Sequence, residues 1–163
     1  NVKQIKIEVI MITHIKSKKE KVALNLYTRL MRSTKVVSEK MHLHLRDHQL
    51  TISQFGVLEA IYHLGPLCQK DLGKKILKTS GNITLVIDNL EKQELVVRVA
   101  SKEDRRINLV YLTDIAKPLQ QITYELANQT MNEALLDITK EEIDIVKNVF
   151  QRVYDNLTNK DLL

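Results

Sequence analysis

The feature that most constrains this chain is its shortage of breakers. Its 163 residues include only four Gly and two Pro, the residues that punctuate short strands and tight turns. A turn-rich barrel or sandwich does not fit, and long helices do. Val22, Leu26, Leu30, Val37, Met41 and Leu45 recur near a period of 3.6 and predict a helix from about Lys18 to Leu45, with Arg29, Arg32 and Lys40 between them. It is longer than one small core needs, which suits an interface. Thr51-Ile-Ser-Gln54 has the form of a capping box. It opens a second helix through Phe55, Leu58, Ile61 and Leu64, which Gly65-Pro66 ends. Leu67 starts a short extended piece, and Gln69 to Ile76 reads as a short third helix. Thr79-Ser-Gly-Asn82 is a turn and cap cluster before a fourth helix with Ile83, Val86, Ile87 and Leu90 on one face.

The period then changes. Leu95 to Val99 and Ile107 to Leu112 are rich in β-branched residues and read as two strands. The polar run Ala100 to Arg106 between them reads as a hairpin tip. Thr113 is expected to cap a long fifth helix, with Ile115, Leu119, Ile122, Leu126 and Leu135 on its inner face and Pro118 near the first turn. Thr139-Lys-Glu-Glu142 is a second capping box. It opens a last helix whose seam Ile143, Val146, Phe150, Val153 and Leu157 is spaced like a heptad.

Three short helices followed by a two-stranded hairpin is the plan of a winged helix-turn-helix. The expected fold is mostly α with a small β-wing. Residues 49–113 form the winged helix-turn-helix DNA-binding domain, 17–48 and 114–163 a helical dimerisation region, and 1–16 an N-terminal arm in which Ile5 to Val9 alternate like a strand. The plan suits double-stranded DNA. The helix after the turn fits the major groove, and the hairpin tip can bring Arg to the adjacent minor groove. Long helices at both ends would pair two such units, so that two recognition helices meet half-sites roughly one DNA turn apart in a pseudo-palindromic operator.

Charge and cysteine usage narrow the class further. The net charge is +5, but residues 1–50 hold 11 basic against 4 acidic residues, and residues 107–163 hold 5 against 9. A basic front and an acidic rear suggest that only part of the chain faces a polyanion. One cysteine excludes a disulfide framework and a multi-cysteine zinc finger, and it suits a reducing cytoplasm. No apolar run reaches the roughly 18 residues of a membrane span, so no membrane partner is expected. Ile10 to Ile12 is too short an apolar stretch for a leader. There is no Gly-rich phosphate loop, no H-E-x-x-H and no nucleophile elbow, so nothing points to an enzyme or to a cofactor.

One long motif is more specific than the plan. It consists of Thr84, Val86 and Leu90-Glu91 in the fourth helix, Leu95-Val96 and Arg98 in the first wing strand, then Asp104, Arg106, Leu112 and Thr113. With the Asp-x-Arg wing and Leu-Thr at this spacing, the chain resembles the MarR family of bacterial transcription regulators from about Lys18 to Leu157. The resemblance implies that Ser80, Asn82, Thr84 and Leu85 lie on the outward face at the start of the recognition helix. Asn can bond adenine edges, small hydroxyls suit phosphates or bases, and an exposed Leu can meet a thymine methyl. Simple capping is the competing reading for Ser80 and Asn82. Arg106 matches the family's wing arginine, with Asp104 placed to orient it by a charge-assisted bond. Lys102, Arg105, Lys74, Lys75 and Lys78 are expected phosphate contacts, though any one lysine also fits plain solvation. The chain departs from the family at Glu94, where a Gly usually gives a left-handed cap, and at Ala116, where a Gly usually stands just inside the fifth helix.

Regulators that resemble this family usually repress transcription until a ligand, an oxidant or a metal shifts the two recognition helices. Lys78 to Thr84 looks like the branch that answers quinones and phenolic compounds in stress responses. Cys68, directly before the third helix, is either a thiol activated by a helix N-terminus or a small apolar residue at a cap position. The family's best-known peroxide sensors carry their Cys near the start of the first helix, where this chain has none. The resemblance also implies a pocket for small aromatic acids or phenols between the first, second and fifth helices. Tyr27, His42, Phe55, Tyr62 and His63 could line it, or serve as packing residues. His42, His44 and His48 with Asp47 leave a zinc-responsive regulator as an alternative, with no obvious remaining ligand set. A helical adaptor without DNA binding is the other alternative, and such a protein would not need a basic wing tip.

Overall fold

The computed structural model describes residues 17–158, so the expected arm at 1–16 lies outside the described residues. The elements in chain order are α1 (Lys18–Arg46), α2 (Ile52–Leu64), β1 (Leu67–Cys68), α3 (Gln69–Lys75), α4 (Ser80–Lys92), β2 (Val96–Ala100), β3 (Asn108–Leu112), α5 (Ala116–Ala134) and α6 (Lys140–Thr158). The chain divides into two compact units, one ending at Thr130 and one beginning at Met131.

The helix starts follow from side-chain chemistry. Ser17 and Glu20 close a capping box on α1, Thr51 and Gln54 one on α2, and Thr139 and Glu142 one on α6. In each, a hydroxyl accepts an orphan amide while the N3 side chain returns to the cap amide.

The helix ends use a different device. At the end of α4, Leu95 N–H donates to Leu90 O and Glu94 N–H to Glu91 O, both at 3.0 Å. This is the Schellman pattern, and it puts Glu94 at φ 58°. The same pair of bonds closes α1 through Gln49, at φ 56°, and α3 through Leu77, at φ 55°. With Asp137, at φ 63° after α5, four left-handed positions among the described residues carry side chains, which is how so few glycines suffice. Among the described residues only Gly65, at φ 78° after α2, places a glycine at positive φ.

The winged domain holds the core. Leu45, Leu50, Val57, Leu58, Leu72, Ile83, Ile87, Leu90, Val96 and Val110 are all buried. Gly73 is needed where α3 meets α4, because a Cβ there would lie 3.2 Å from the Lys78 carbonyl oxygen and 3.4 Å from Ile83 Cγ2. The short extended piece becomes a third strand. The sheet order is β1-β3-β2, with Leu67 opposite Val110 and Arg98 opposite Val110 on the other side. Thr113 joins the end of β3 to the start of α4's exit turn, its hydroxyl donating to the Glu94 carbonyl at 2.7 Å.

Two expected faces are corrected. The inner face of α5 is Ala116, Gln120, Thr123, Ala127 and Thr130. Ile115, Ile122 and Leu135 are exposed, because the apolar period marks a stripe without saying which neighbour covers it. On α2, Val57 is buried while Leu64 is exposed. The apolar stripe of α1 is covered only near its C-terminal end, where Leu45 is buried and Met41 packs on the core, and Val22, Leu26 and Leu30 are exposed.

A left-handed backbone costs a residue with a Cβ roughly 1–2 kcal/mol, of which Gly returns part through its greater unfolded-state entropy. Glu94→Gly is therefore expected to raise the unfolding free energy by about 0.5–1 kcal/mol. Urea titration at matched protein concentration checks this, and a lower midpoint would contradict it.

Candidate nucleic-acid interface

The start of α4 is built to face outward. Ile83, Ile87 and Leu90 turn into the core, which leaves Ser80, Asn82 and Leu85 on the exposed side. Leu85 is 61% exposed. The cap position belongs to Thr79, whose side chain makes no capping bond. Capping by Ser80 or Asn82 is thus not what this helix uses, and its first amides remain directed at whatever lies beyond the N-terminus. Thr84 differs from its neighbours. It is half-buried, its hydroxyl donates to the Ser80 carbonyl at 3.0 Å, and it accepts from Gln69 Nε2. Gln69, at the start of α3, therefore pins the two helices of the motif together beside the outward face.

The wing tip presents a prepared guanidinium. Arg106 is 90% exposed, and Asp104 grips it in a fork, with Nε to Oδ1 at 3.1 Å and Nη2 to Oδ2 at 3.2 Å. The Arg106 amide also donates to Asp104 Oδ1 at 3.0 Å. The guanidinium and this amide hold the Asp104 carboxyl below the usual carboxylate range. Lys102 and Arg105 are exposed around the same tip.

A second arginine joins wing and helix. Arg98 of β2 is 21% exposed, and its guanidinium donates through Nη1 to Glu91 Oε2 and through Nη2 to Asp88 Oδ1, the latter at 2.6 Å. Its backbone amide donates to Glu91 Oε1 at 3.1 Å. Two carboxylates one turn apart on α4 thus hold one strand of the wing. Asp88 and Gln69 were not singled out from the sequence. Asp88 had a signal, three residues before Glu91 on one helix face, whereas Gln69 had none.

The basic residues around α3 separate into two kinds. Lys74 pairs with Asp71 at 3.5 Å. Lys75 and Lys78 are exposed and without an ion pair among the described residues. Cys68 is half-buried, and its thiol donates to Asp71 Oδ2 at 3.2 Å. That bond, with Lys74 adding to it, lowers the Asp71 carboxyl.

The residues expected to form a pocket are not all brought together. Phe55 and His63 line a groove of about 630 Å³ beside the C-terminal turn of α3. Tyr27, His42 and Tyr62 are exposed and do not line it. Tyr62 instead stands edge-on to His63 with ring centres 5.1 Å apart, and His63 meets Tyr124 at 5.7 Å. His44 Nδ1 lies 3.1 Å from the Thr130 hydroxyl. Among the described residues no three His, Cys, Asp or Glu side chains form a group suited to a metal, the His42, His44 and His48 set included.

Outward helix, wing and three-stranded sheet together define a winged-helix DNA-binding domain. Residues 50–107 match the MarR family. The chain is 32% identical over 131 residues to the HTH-type transcriptional regulator MhqR of Bacillus subtilis, spanning 80% of this chain and 90% of that protein. It also superposes on a mutant MarR from E. coli complexed with operator DNA, with a TM-score of 0.73, 21% identity, and coverage of 84% of this chain and 99% of that one. A third likeness is to Bordetella bronchiseptica BpsR, in a structure described as the mechanism for regulation of its DNA binding by 6-hydroxynicotinic acid. There the TM-score is 0.71, the identity 23%, and the coverage 78% of this chain and 91% of that one. The chain belongs to the MarR family. It is a DNA-binding transcriptional regulator and not an enzyme. Among the described residues no helix is long and apolar enough to cross a membrane.

Arg98→Met removes the tie between β2 and α4 while keeping the aliphatic stem. For partly exposed charge-assisted bonds the expected loss of stability is about 1–2 kcal/mol, read by urea titration. A variant as stable as the parent would show that the tie is ornamental.

Proposed function

We propose that the chain is a cytoplasmic homodimeric repressor that binds a pseudo-palindromic operator and is released by a small aromatic signal. The observation that carries the DNA half is the pairing of an uncapped, outward α4 N-terminus with an exposed, pre-oriented Arg106. Ser80, Asn82 and Leu85 read the major groove, and Arg106 enters the adjacent minor groove with Asp104 holding its plane. Thr84 acts from behind this face through its bond to Gln69. Lys74, Lys75, Lys78, Lys102 and Arg105 meet phosphates, which position the protein without specifying sequence. A helical adaptor would have no use for this wing tip.

Uncovered apolar stripes support the dimer. Val22, Leu26 and Leu30 on α1, and Val146, Phe150, Val153 and Leu157 on α6, are exposed. The bulk of the chain outside 49–113 is assigned to that interface.

For the signal, a bound phenolic or quinone-like molecule fits better than thiol oxidation. Cys68 is half-buried and donates its proton to a carboxylate, which is unlike the electropositive setting of a reactive thiolate. BpsR, whose DNA binding is regulated by a hydroxylated aromatic acid, sets a precedent for such a ligand.

Arg106→Ala is expected to weaken binding to the DNA upstream of the protein's own gene roughly ten- to a hundredfold, and to lower the salt slope by about 1, with dimerisation unchanged. Unchanged affinity at physiological salt would refute the wing's role. Benzoquinone is expected to release wild type and Cys68→Ser equally in a DNA-shift assay. Release confined to wild type would move the signal onto the thiol.

A further inference from the structure

We propose that Gln69 is a positioning residue for DNA reading: through Thr84 it orders the first turn of α4, which carries Ser80 and Asn82, and so sets how well the helix tells operator from other DNA. Local sequence does little to hold that turn. Thr79 stands at the cap position, but its side chain makes no capping bond. The first amides of α4 therefore lack the hydroxyl that Ser17, Thr51 and Thr139 supply to α1, α2 and α6. Ser80, Gly81 and Asn82 follow, all poorer helix formers than Ala, Leu or Lys, and Gly81 the poorest. A Cβ on Gly81 would meet nothing within 4 Å. That glycine adds backbone freedom to the turn without any packing need for it.

What holds the turn comes from another helix. The Thr84 hydroxyl donates its one proton to the Ser80 carbonyl at 3.0 Å, so toward Gln69 it can only accept. Gln69 supplies the donor through Nε2. A relay from Gln69 through Thr84 to Ser80 thus runs from the first residue of α3 to the first residue of α4. A hydroxyl that accepts one hydrogen bond donates a stronger one. The relay also fixes Thr84, whose side chain in a helix otherwise divides between two rotamers. Gln69 and Thr84 are both half-buried, so water competes for the bond only in part.

The turn held in this way carries groups assigned to bases, whereas the lysines around α3 and the wing tip carry those assigned to phosphates. Loosening it weakens base reading and leaves the phosphate contacts intact. A frayed turn must be ordered when the operator binds, and that ordering is subtracted from operator affinity. Binding to random DNA draws on charge and needs no ordered turn. This consequence rests on the reading of α4 proposed above, whereas the ordering of the turn does not.

Gln69→Met keeps the length of the side chain and removes the donor, and Thr84→Val keeps the shape and removes the hydroxyl. In native-state hydrogen exchange of the full chain, the amides of Ile83, Thr84 and Leu85 are expected to exchange about three- to tenfold faster in either variant, the range for one lost hydrogen bond. Affinity for the DNA upstream of the protein's own gene should fall by a similar factor. Binding to random-sequence DNA at the same salt should not change, and the salt slope should stay as in wild type. A loss of global stability alone leaves a stable fold populated and would not move this ratio. Gln69→Met added to Thr84→Val should cause no further loss. Unchanged exchange from Ile83 to Leu85 overturns the ordering of the turn. Equal loss on operator and random DNA would make Gln69 a phosphate contact, and additive losses in the double variant would make it a direct base contact. Either overturns the positioning role. Faster exchange in the variants of a protein that binds no operator supports the relay and strikes the repressor reading instead.

Discussion

The Arg98 bridge is the interaction on which the DNA-reading surface depends. A two-stranded wing is marginal alone, and its tip must still place Arg106 at a fixed distance from α4. One guanidinium spanning Asp88 and Glu91, with the Arg98 amide donating to the same Glu91, ties strand to helix at three points. Thr113 adds a fourth tie where α4 ends, through the Glu94 carbonyl. In the proposed reading, helix and wing meet DNA as one body, and the ordering cost of the wing is met in folding rather than in binding.

The chain's charge makes sense once it is placed. The net +5 says little, because the groups that matter are few. Asp88 and Glu91 are consumed by Arg98, Asp104 by Arg106, and Asp71 by Lys74 and the Cys68 thiol. What remains uncommitted around the motif is mostly basic, with Glu94 and Glu103 the exposed exceptions. Most acidic residues in this lobe therefore act as positioners of cations rather than as a counterweight to them, and a simple count of signs understates its attraction for a polyanion.

Legibility followed the range of the physics. Capping boxes at Thr51 and Thr139, the helix period of α4 and the β-branched wing strands are local, and the sequence displays them directly. The left-handed turn at Glu94 was readable only because a family pattern reserved the position for Gly. Contacts between elements were not readable. Nothing local marks Gln69 as the partner of Thr84, or Gln120 and Thr130 as the buried side of α5. That helix carries a polar inner stripe and an apolar outer one, and periodicity reports the second whichever neighbour covers it. The lining of a pocket is likewise a matter of contacts between elements. Tyr27, His42 and Tyr62 have suitable chemistry, but only Phe55 and His63 are placed on the groove.

The central claim is that wing and recognition helix act as one unit because Arg98 joins them. A double-mutant cycle on operator affinity with Arg98→Met and Arg106→Ala tests it most directly. If Arg98 positions Arg106, losing the tie should already forfeit most of the wing contact, so the two losses should fall short of additivity by about 1 kcal/mol or more. Losses that add within about 0.5 kcal/mol would mean that Arg106 finds DNA without the bridge, and would contradict the account.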